Sequence, residues 1–299
     1  MPAQHGAGAD TGADGANGAT PDARPLAGSE SGRLEATQVR AMFDGIAGVY
    51  DLLNTAMSAG LHHRWRARAA DLARVRPGDR VLDVATGTGD LALELATRVA
   101  PGGEVIGSDF AEAMLDRARA KAASSGRPGV RPRFEWGDAL ALSYVDDYFD
   151  AATVGFAARN FADFTRGLAE MARVVRPGGR VVVLEFTTPV KPPLSWFYAV
   201  WFDRLVPLLG HVAQGVARMP GARRRADARG RDAEAPSRPS VADTIGDAYT
   251  YLPNSVKRFP APAALAAELE RAGLERISYV VLAGGIVAIH VGTVPRERR

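Results

Sequence analysis

Cysteine is absent from all 299 residues, which removes disulfide frameworks, thiolate metal sites and a cysteine nucleophile together and suits a cytoplasmic protein. Long apolar runs are absent as well. The longest candidate, 194–210, is broken by Asp203 and Arg204 and falls short of the roughly 18 to 20 residues that a spanning helix requires, so a soluble or peripheral protein is expected. The amino terminus lacks the charged and apolar regions of a signal peptide. Histidine is scarce, with five in the chain, and none stands at metal-ligand spacing, so no metal is expected. Acidic excess is missing too: the formal net charge is +3 and the pI near 9.4. That argues only weakly for a nucleic-acid partner, because the basic density lies in an Arg-rich segment and in the tail Arg296-Glu297-Arg298-Arg299. Nor is there a base-flipping signature or a second reading domain, so no nucleic acid is expected.

What is present is a chain 46% hydrophobic with apolar segments spread evenly enough for one catalytic domain, 37–294. Two stretches fall outside its core. Residues 1–36 consist largely of Gly, Ala, Asp, Ser and Pro and read as a disordered tail, since little in them can offset the entropy of ordering. Residues 213–242 contain Arg223-Arg224-Arg225, further arginines and several prolines, and read as a disordered insertion.

Between these stretches the apolar period alternates. Residues 38–73 show three- and four-residue spacing, the mark of two or three short helices. Strands are expected at 80–85, 104–108, 131–136, 149–155 and 180–186, with helices at 90–99, 111–123 and 164–175. After a helix at 261–272, two extended runs, 274–283 and 286–292, flank Gly284-Gly285 and should pair antiparallel. The pattern predicts an α/β, Rossmann-like, doubly wound sheet of seven strands, mixed because the last is antiparallel, with ligands at the carboxyl ends of its strands.

The run Val81-Leu82-Asp83-Val84-Ala85-Thr86-Gly87-Thr88-Gly89-Asp90 ends a strand, turns on two glycines and opens a helix. Gly87-x-Gly89-x-x-Ala92 also satisfies a dinucleotide fingerprint, and Asp109 at the end of the second strand suits ribose hydroxyls under either reading. Charge separates the two. A pyrophosphate belongs at a helix amino terminus, where Asp90 would repel it. S-adenosylmethionine brings a sulfonium and an ammonium, which Asp83 and Asp90 accommodate, while Asp138 and Ala139 after the third strand can hold an adenine amino group. Taken singly, Asp90 reads equally well as a helix cap and Asp138 as the start of a turn; their joint spacing favours the methyl donor. The donor set is then Asp83, Gly87, Thr88, Gly89, Asp109, Phe110, Asp138, Ala139 and Gly155.

Four further blocks carry a resemblance. Tyr50-Asp51-x-x-Asn54 with Ser58 and His62-x-x-Trp65 is the first; Phe156-Ala157-Ala158-Arg159-Asn160 the second; Arg173-Val174-Val175-Arg176-Pro177-Gly178-Gly179 through Leu184-Glu185-Phe186 the third. Tyr249-x-Tyr251-Leu252-Pro253 through Arg258-Phe259-Pro260, with Gly284-Gly285-Ile286-Val287-Ala288-x-His290, is the last. Together they resemble the menaquinone and ubiquinone biosynthesis C-methyltransferases from about Met42 to Thr293. The chain departs from that pattern at Gly155, where members often carry Ser, and at Ala157, where they carry Gly; the tail and the insertion have no counterpart.

The resemblance implies a class I S-adenosylmethionine-dependent methyltransferase that methylates a ring carbon of a prenylated quinol. Demethylmenaquinol is preferred over a benzoquinol or another lipophilic small molecule. Arg159, Asp90 and Tyr50 are implied to assist deprotonation: Asp90 as base, Tyr50 orienting the quinol, and Arg159 stabilising the phenolate. Asn160, His62 and Tyr249 would line the substrate side. Each has a plainer reading: Arg159 as an ion pair holding its loop, Tyr50 as a packed helix residue, His62 as a structural hydrogen-bonding residue. The aromatic run 196–209 reads as a lid or membrane-facing entrance, or as a core helix. Transient contact with the inner face of the membrane and a homodimer are compatible with all this. Rivals from other classes are a nicotinamide-binding protein, which Asp90 argues against, and a non-catalytic scaffold.

Overall fold

The computed structural model describes residues 44, 51, 55, 58, 60–189, 192, 195, 196 and 255–297. Tyr50, Tyr249, the tail 1–36, the insertion 213–242 and all of the aromatic run but Trp196 lie outside the described residues, as do most of the helices expected before residue 60.

Short apolar runs bounded by turn residues become the strands, and amphipathic segments become the helices that cover them. In chain order the elements are α1 (Leu61–Ala73), β1 (Arg80–Val84), α2 (Asp90–Arg98), β2 (Glu104–Asp109), α3 (Glu112–Ser124), β3 (Arg133–Trp136) and β4 (Phe149–Gly155). There follow α4 (Phe164–Val174), β5 (Val175–Phe186), α5 (Pro262–Arg271), β6 (Glu275–Leu282) and β7 (Val287–Thr293). The seven strands form one sheet in the order β3-β2-β1-β4-β5-β7-β6. The first five are parallel, and β7 runs antiparallel to both β5 and β6, so the expected mixed sheet with a reversed last strand is what forms.

Both faces of the sheet are covered, which is why its central strands read as unbroken apolar runs. Trp65, Leu91, Leu95 and Leu115 fill one side; Leu168, Met171, Leu265 and Leu269 fill the other. Each such large side chain contributes roughly 1.5 to 3 kcal/mol by leaving water. Two boundaries differ from the sequence reading by more than one residue, for local reasons. β3 begins at Arg133 because Pro132 has no N–H for a ladder. β5 begins at Val175 instead of 180: Val175 pairs with Phe149, and Arg176-Pro177-Gly178-Gly179 then forms an irregularity before the register resumes at Arg180↔Ala151.

The chain winds from β1 to one side through β2 and β3, and to the other through β4 and β5. The crevice outside the carboxyl ends of β1 and β4 is therefore the place where neighbouring crossovers part. Gly89, the amino-terminal cap of α2, has φ +83, and a Cβ there would stand 2.8 Å from the Phe134 ring. The same ring would meet a Cβ at Gly107 at 2.7 Å. The second glycine of the loop is thus required twice, by its backbone and by the packing of β3 under α2. Gly89→Ala should cost about 2 kcal/mol or more from left-handed strain and overpacking; an unchanged urea midpoint would show that Phe134 yields freely.

Candidate active site

A cavity of about 290 Å³ opens at that crevice. It gathers Asp83, Gly87, Thr88, Asp90, Asp109, Phe110, Asp138, Ala139, Gly155 and Asn160 from four separate stretches of chain. Gly89 stands behind it as packing. The sequence reading did not single out Arg66, Thr86, Met114, Trp136 or Leu140, which line it too.

Two backbone positions at the mouth are strained: Ala85 at φ 51 and Phe156 at φ 60, conformations that cost non-glycine residues about 1 to 3 kcal/mol and gather at functional sites. They lie just past β1 and within the turn after β4. Ala157 has φ −130, so the departure from glycine there carries no strain. Gly155 has Leu91 Cδ2 3.2 Å from where a Cβ would stand, so a larger residue there needs the Leu91 side chain to give slightly.

Asp83 is fully buried and accepts from the Thr86 and Thr153 hydroxyls, each at 2.7 Å; burial outweighs those bonds and pushes its carboxyl up to about 6. Asp109 accepts from the N–H groups of Gly87 at 2.8 Å and Ala111 at 2.9 Å, and burial again raises it to about 6. One carboxylate thereby pins the glycine loop to the end of β2. Asp138 accepts from Leu140 N at 2.9 Å, so it starts a turn and lines the cavity at once.

Asp90 does not stand alone at its helix terminus. Lys121 Nζ donates to Oδ1 at 2.7 Å and Arg66 Nη1 lies 3.5 Å from Oδ2. Burial opposes its charge, but Arg66 and Lys121 outweigh burial and hold the carboxyl below the usual range. It therefore stays ionised at neutral pH and is a weaker base than the sequence reading required. Lys121 also reaches Asp51 at 2.7 Å and the Thr88 hydroxyl at 3.0 Å, tying Asp51 to the glycine loop. His62 is buried beside Arg66, with Nε2 3.2 Å from the Thr55 hydroxyl. Burial first, then Arg66 and His63, lower it to about 4, so it is neutral at pH 7 and outside the cavity lining. His62, His63 and Asp90 come within 4.8 Å of one another, a proximity that spacing along the chain did not reveal. Because Arg66 engages both His62 and Asp90, and Lys121 the carboxylate as well, cations already meet two of the three groups.

Arg159, expected at the acceptor, points elsewhere. Its Nη1 donates to Glu185 Oε2 at 2.8 Å and to Phe156 O at 2.5 Å, and its Nε to the Ser255 hydroxyl at 3.3 Å. Its side chain is 6% exposed and that of Glu185 1%. It is not among the cavity-lining residues; the pair ties the turn after β4 to the end of β5.

The chemistry of the lining fits S-adenosylmethionine. Four carboxylates suit its sulfonium, ammonium and ribose hydroxyls, Arg66 offers a positive charge beside them, and Phe110, Met114, Trp136 and Leu140 offer apolar surface for a purine. A Cβ at Gly87 would meet nothing within 4 Å, so the loop backbone is open on that side.

Comparison with known proteins agrees. The model of the ubiE/COQ5 methyltransferase family matches residues 32–217 and 238–294; the stretch between the two matches lies inside the Arg-rich insertion. A demethylmenaquinone methyltransferase of Thermus thermophilus is 46% identical over 85% of this chain and 100% of its own length. A ubiquinone/menaquinone biosynthesis C-methyltransferase of Burkholderia mallei is 39% identical over 87% and 93%. A SAM-dependent methyltransferase from Thermotoga maritima superposes with a TM-score of 0.50 at 17% identity, over 86% of this chain and all of its own, which is a likeness of fold.

Proposed function

The chain belongs to the ubiE/COQ5 methyltransferase family, and on that premise we propose that it transfers a methyl group from S-adenosylmethionine to a ring carbon of demethylmenaquinol, giving menaquinol. The observation that carries the reading is the carboxylate-lined cavity at the crevice beside β1 and β4, in a chain whose relatives of 37 to 46% identity are named demethylmenaquinone methyltransferase. A benzoquinol is the second reading, because relatives at 39% identity carry a ubiquinone/menaquinone name.

In this reading Asp109 accepts from ribose hydroxyls, the Gly87 to Gly89 loop lets the ligand approach the backbone, and Asp138 with Ala139 faces the purine. Asp83 and Asp90 face its positive end. When bound, S-adenosylmethionine supplies an electrophilic methyl and retains the electron pair of the broken C–S bond. The acceptor must therefore offer a nucleophilic carbon, which a quinol does once a ring hydroxyl ionises and an oxidised quinone does not. Asn160, which lines the cavity, would sit on the acceptor side, and Arg159 with Glu185 would fix the turn that presents it. Release of the ring proton afterwards restores aromaticity, and Asp90, kept ionised, can take it directly or through water. No helix among the described residues is long and apolar enough to cross a membrane; the lipid tail of the acceptor supports transient contact with the inner face of a membrane. A homodimer is compatible with this reading.

Transfer of labelled methyl to chemically reduced demethylmenaquinol, beside the unmethylated benzoquinol and the oxidised quinone, tests the proposal. Label on the reduced naphthoquinol alone is expected. Label on the benzoquinol instead would move the acceptor, and label on neither, with the donor still bound, would overturn the quinol assignment.

A further inference from the structure

Among the described residues that line the cavity, Arg66 is the one cation; Asp83, Asp90, Asp109 and Asp138 carry the other charges. That balance suits the donor's sulfonium and ammonium, while the donor's own α-carboxylate and a phenolate acceptor would each be repelled by the carboxylates near them. An acceptor that must ionise in this space requires a positive group.

Arg66 is placed for that. It projects from the buried face of α1, with His62, Trp65, Ala69 and Ala70, and is itself 6% exposed. It lines the cavity and also a polar cleft of about 350 Å³ that contains Asp51, His62, His63 and Lys121, so it stands in the wall between the two. The guanidinium carbon lies 5.4 Å from the centroid of the Phe156 ring, the strained residue at the cavity mouth. Its contacts to His62 and Asp90 are both made by Nη1, whereas a guanidinium presents five N–H donors in a rigid fork. Asp90 is not left to Arg66 alone, since its Oδ1 also receives Lys121 at 2.7 Å. The other candidate, Arg159, is committed to Glu185 at 2.8 Å.

We infer that Arg66 is a catalytic residue of the methyl transfer: its guanidinium faces the ring oxygen of the phenolic acceptor and stabilises the phenolate whose carbon attacks. The inference rests on the acceptor being a quinol, as proposed above. The ring hydroxyl passes its proton to water while the O–H electron pair remains on the acceptor, and the fixed positive charge lowers the pH at which that happens. The polar cleft shares Arg66 and Asp90 with this cavity.

The test is the pH profile of methyl transfer to reduced demethylmenaquinol for the native enzyme, Arg66→Gln and Arg66→Lys, with binding of S-adenosylhomocysteine and thermal midpoints measured for each. Arg66→Gln should lower kcat at pH 7 by about 100-fold and move the rising limb of the profile at least one pH unit upward, so that activity returns in alkali. S-adenosylhomocysteine, which carries the donor's carboxylate, should bind within about threefold of its native affinity; a loss beyond about tenfold with the pH limb unmoved would assign Arg66 to that carboxylate and overturn the inference. Arg66→Lys retains a charge without the fork and should shift the limb in the same direction by less; it is the decisive variant should the neutral one fail to fold. A kcat depressed equally at every pH, with the limb unmoved in Arg66→Lys and in whatever neutral variant folds, would overturn the inference and leave Arg66 a packing residue. Absence of label with the native enzyme would overturn the quinol reading and this inference with it, so the two failures are told apart.

Discussion

Glu185→Ala is expected to destabilise the protein by about 3 to 5 kcal/mol, the cost of leaving a buried charge without its partner. Arg159 cannot turn to water when Glu185 is removed, since its side chain is 6% exposed and held by Phe156 O and Ser255. Glu185 also accepts from the backbone N–H of Arg159 at 3.2 Å and of Phe186 at 3.0 Å, so truncation strips an acceptor from both loop ends. A loss of that size is a large share of the 5 to 15 kcal/mol that typically holds a domain folded. Replacing both members, Arg159→Met with Glu185→Leu, should recover most of it. Urea unfolding of the three variants decides the matter. If Glu185→Ala unfolds at the native midpoint while methyl transfer collapses, Arg159 faces the acceptor after all and the ion pair is secondary.

Asp109→Asn should weaken binding of S-adenosylhomocysteine by about 100-fold, roughly the 3 kcal/mol that charge-assisted hydrogen bonds to ribose hydroxyls carry, while the fold survives. The side chain keeps one oxygen to accept from Gly87 or Ala111, and an amide resembles the protonated carboxyl. The pH dependence follows from the raised value. With the folded carboxyl near 6 and an ordinary Asp near ~3.9, this group's contribution to stability is complete below about 4 and is lost as pH rises through about 6. Donor affinity should run the other way, rising through pH 6 as the carboxylate forms. In Asp109→Asn the stability profile should become shallower, though not flat, because Asp83 titrates in the same range. Thermal unfolding and isothermal titration between pH 5 and 8 measure both slopes. Affinity within threefold of native would reduce Asp109 to a clasp for the glycine loop.

Legibility in the sequence followed the range of the forces involved. Strands and helices were readable because apolar period is written within ten residues, and β4 was located at the bounds it has, 149–155. The glycine loop, Asp109 and Asp138 were readable because each closes a local motif: a strand end, a turn, a helix start. The errors at β3 and β5 arose where a proline or an irregular register changed the pairing without changing the composition. Arg66 was harder, since it sits among Arg64 and Arg68 in a stretch that looks solvated. Its one signal is the i, i+4 step from His62 and its adjacency to Trp65, which place it on the face that α1 buries.

By itself, then, the sequence determined the fold class, the location of the crevice and the acidic character of the donor site, because these depend on periodicity and on backbone conformations that particular residues permit. Only the tertiary structure decided which charges neutralise which. Lys121 meets Asp90 across 31 residues and Arg159 meets Glu185 across 26, and both pairings exist because parallel strands and their covering helices bring distant segments to one edge. A carboxylate's basicity and an arginine's freedom to meet a substrate are set by such neighbours and by burial, neither of which leaves a mark in the order of residues along the chain.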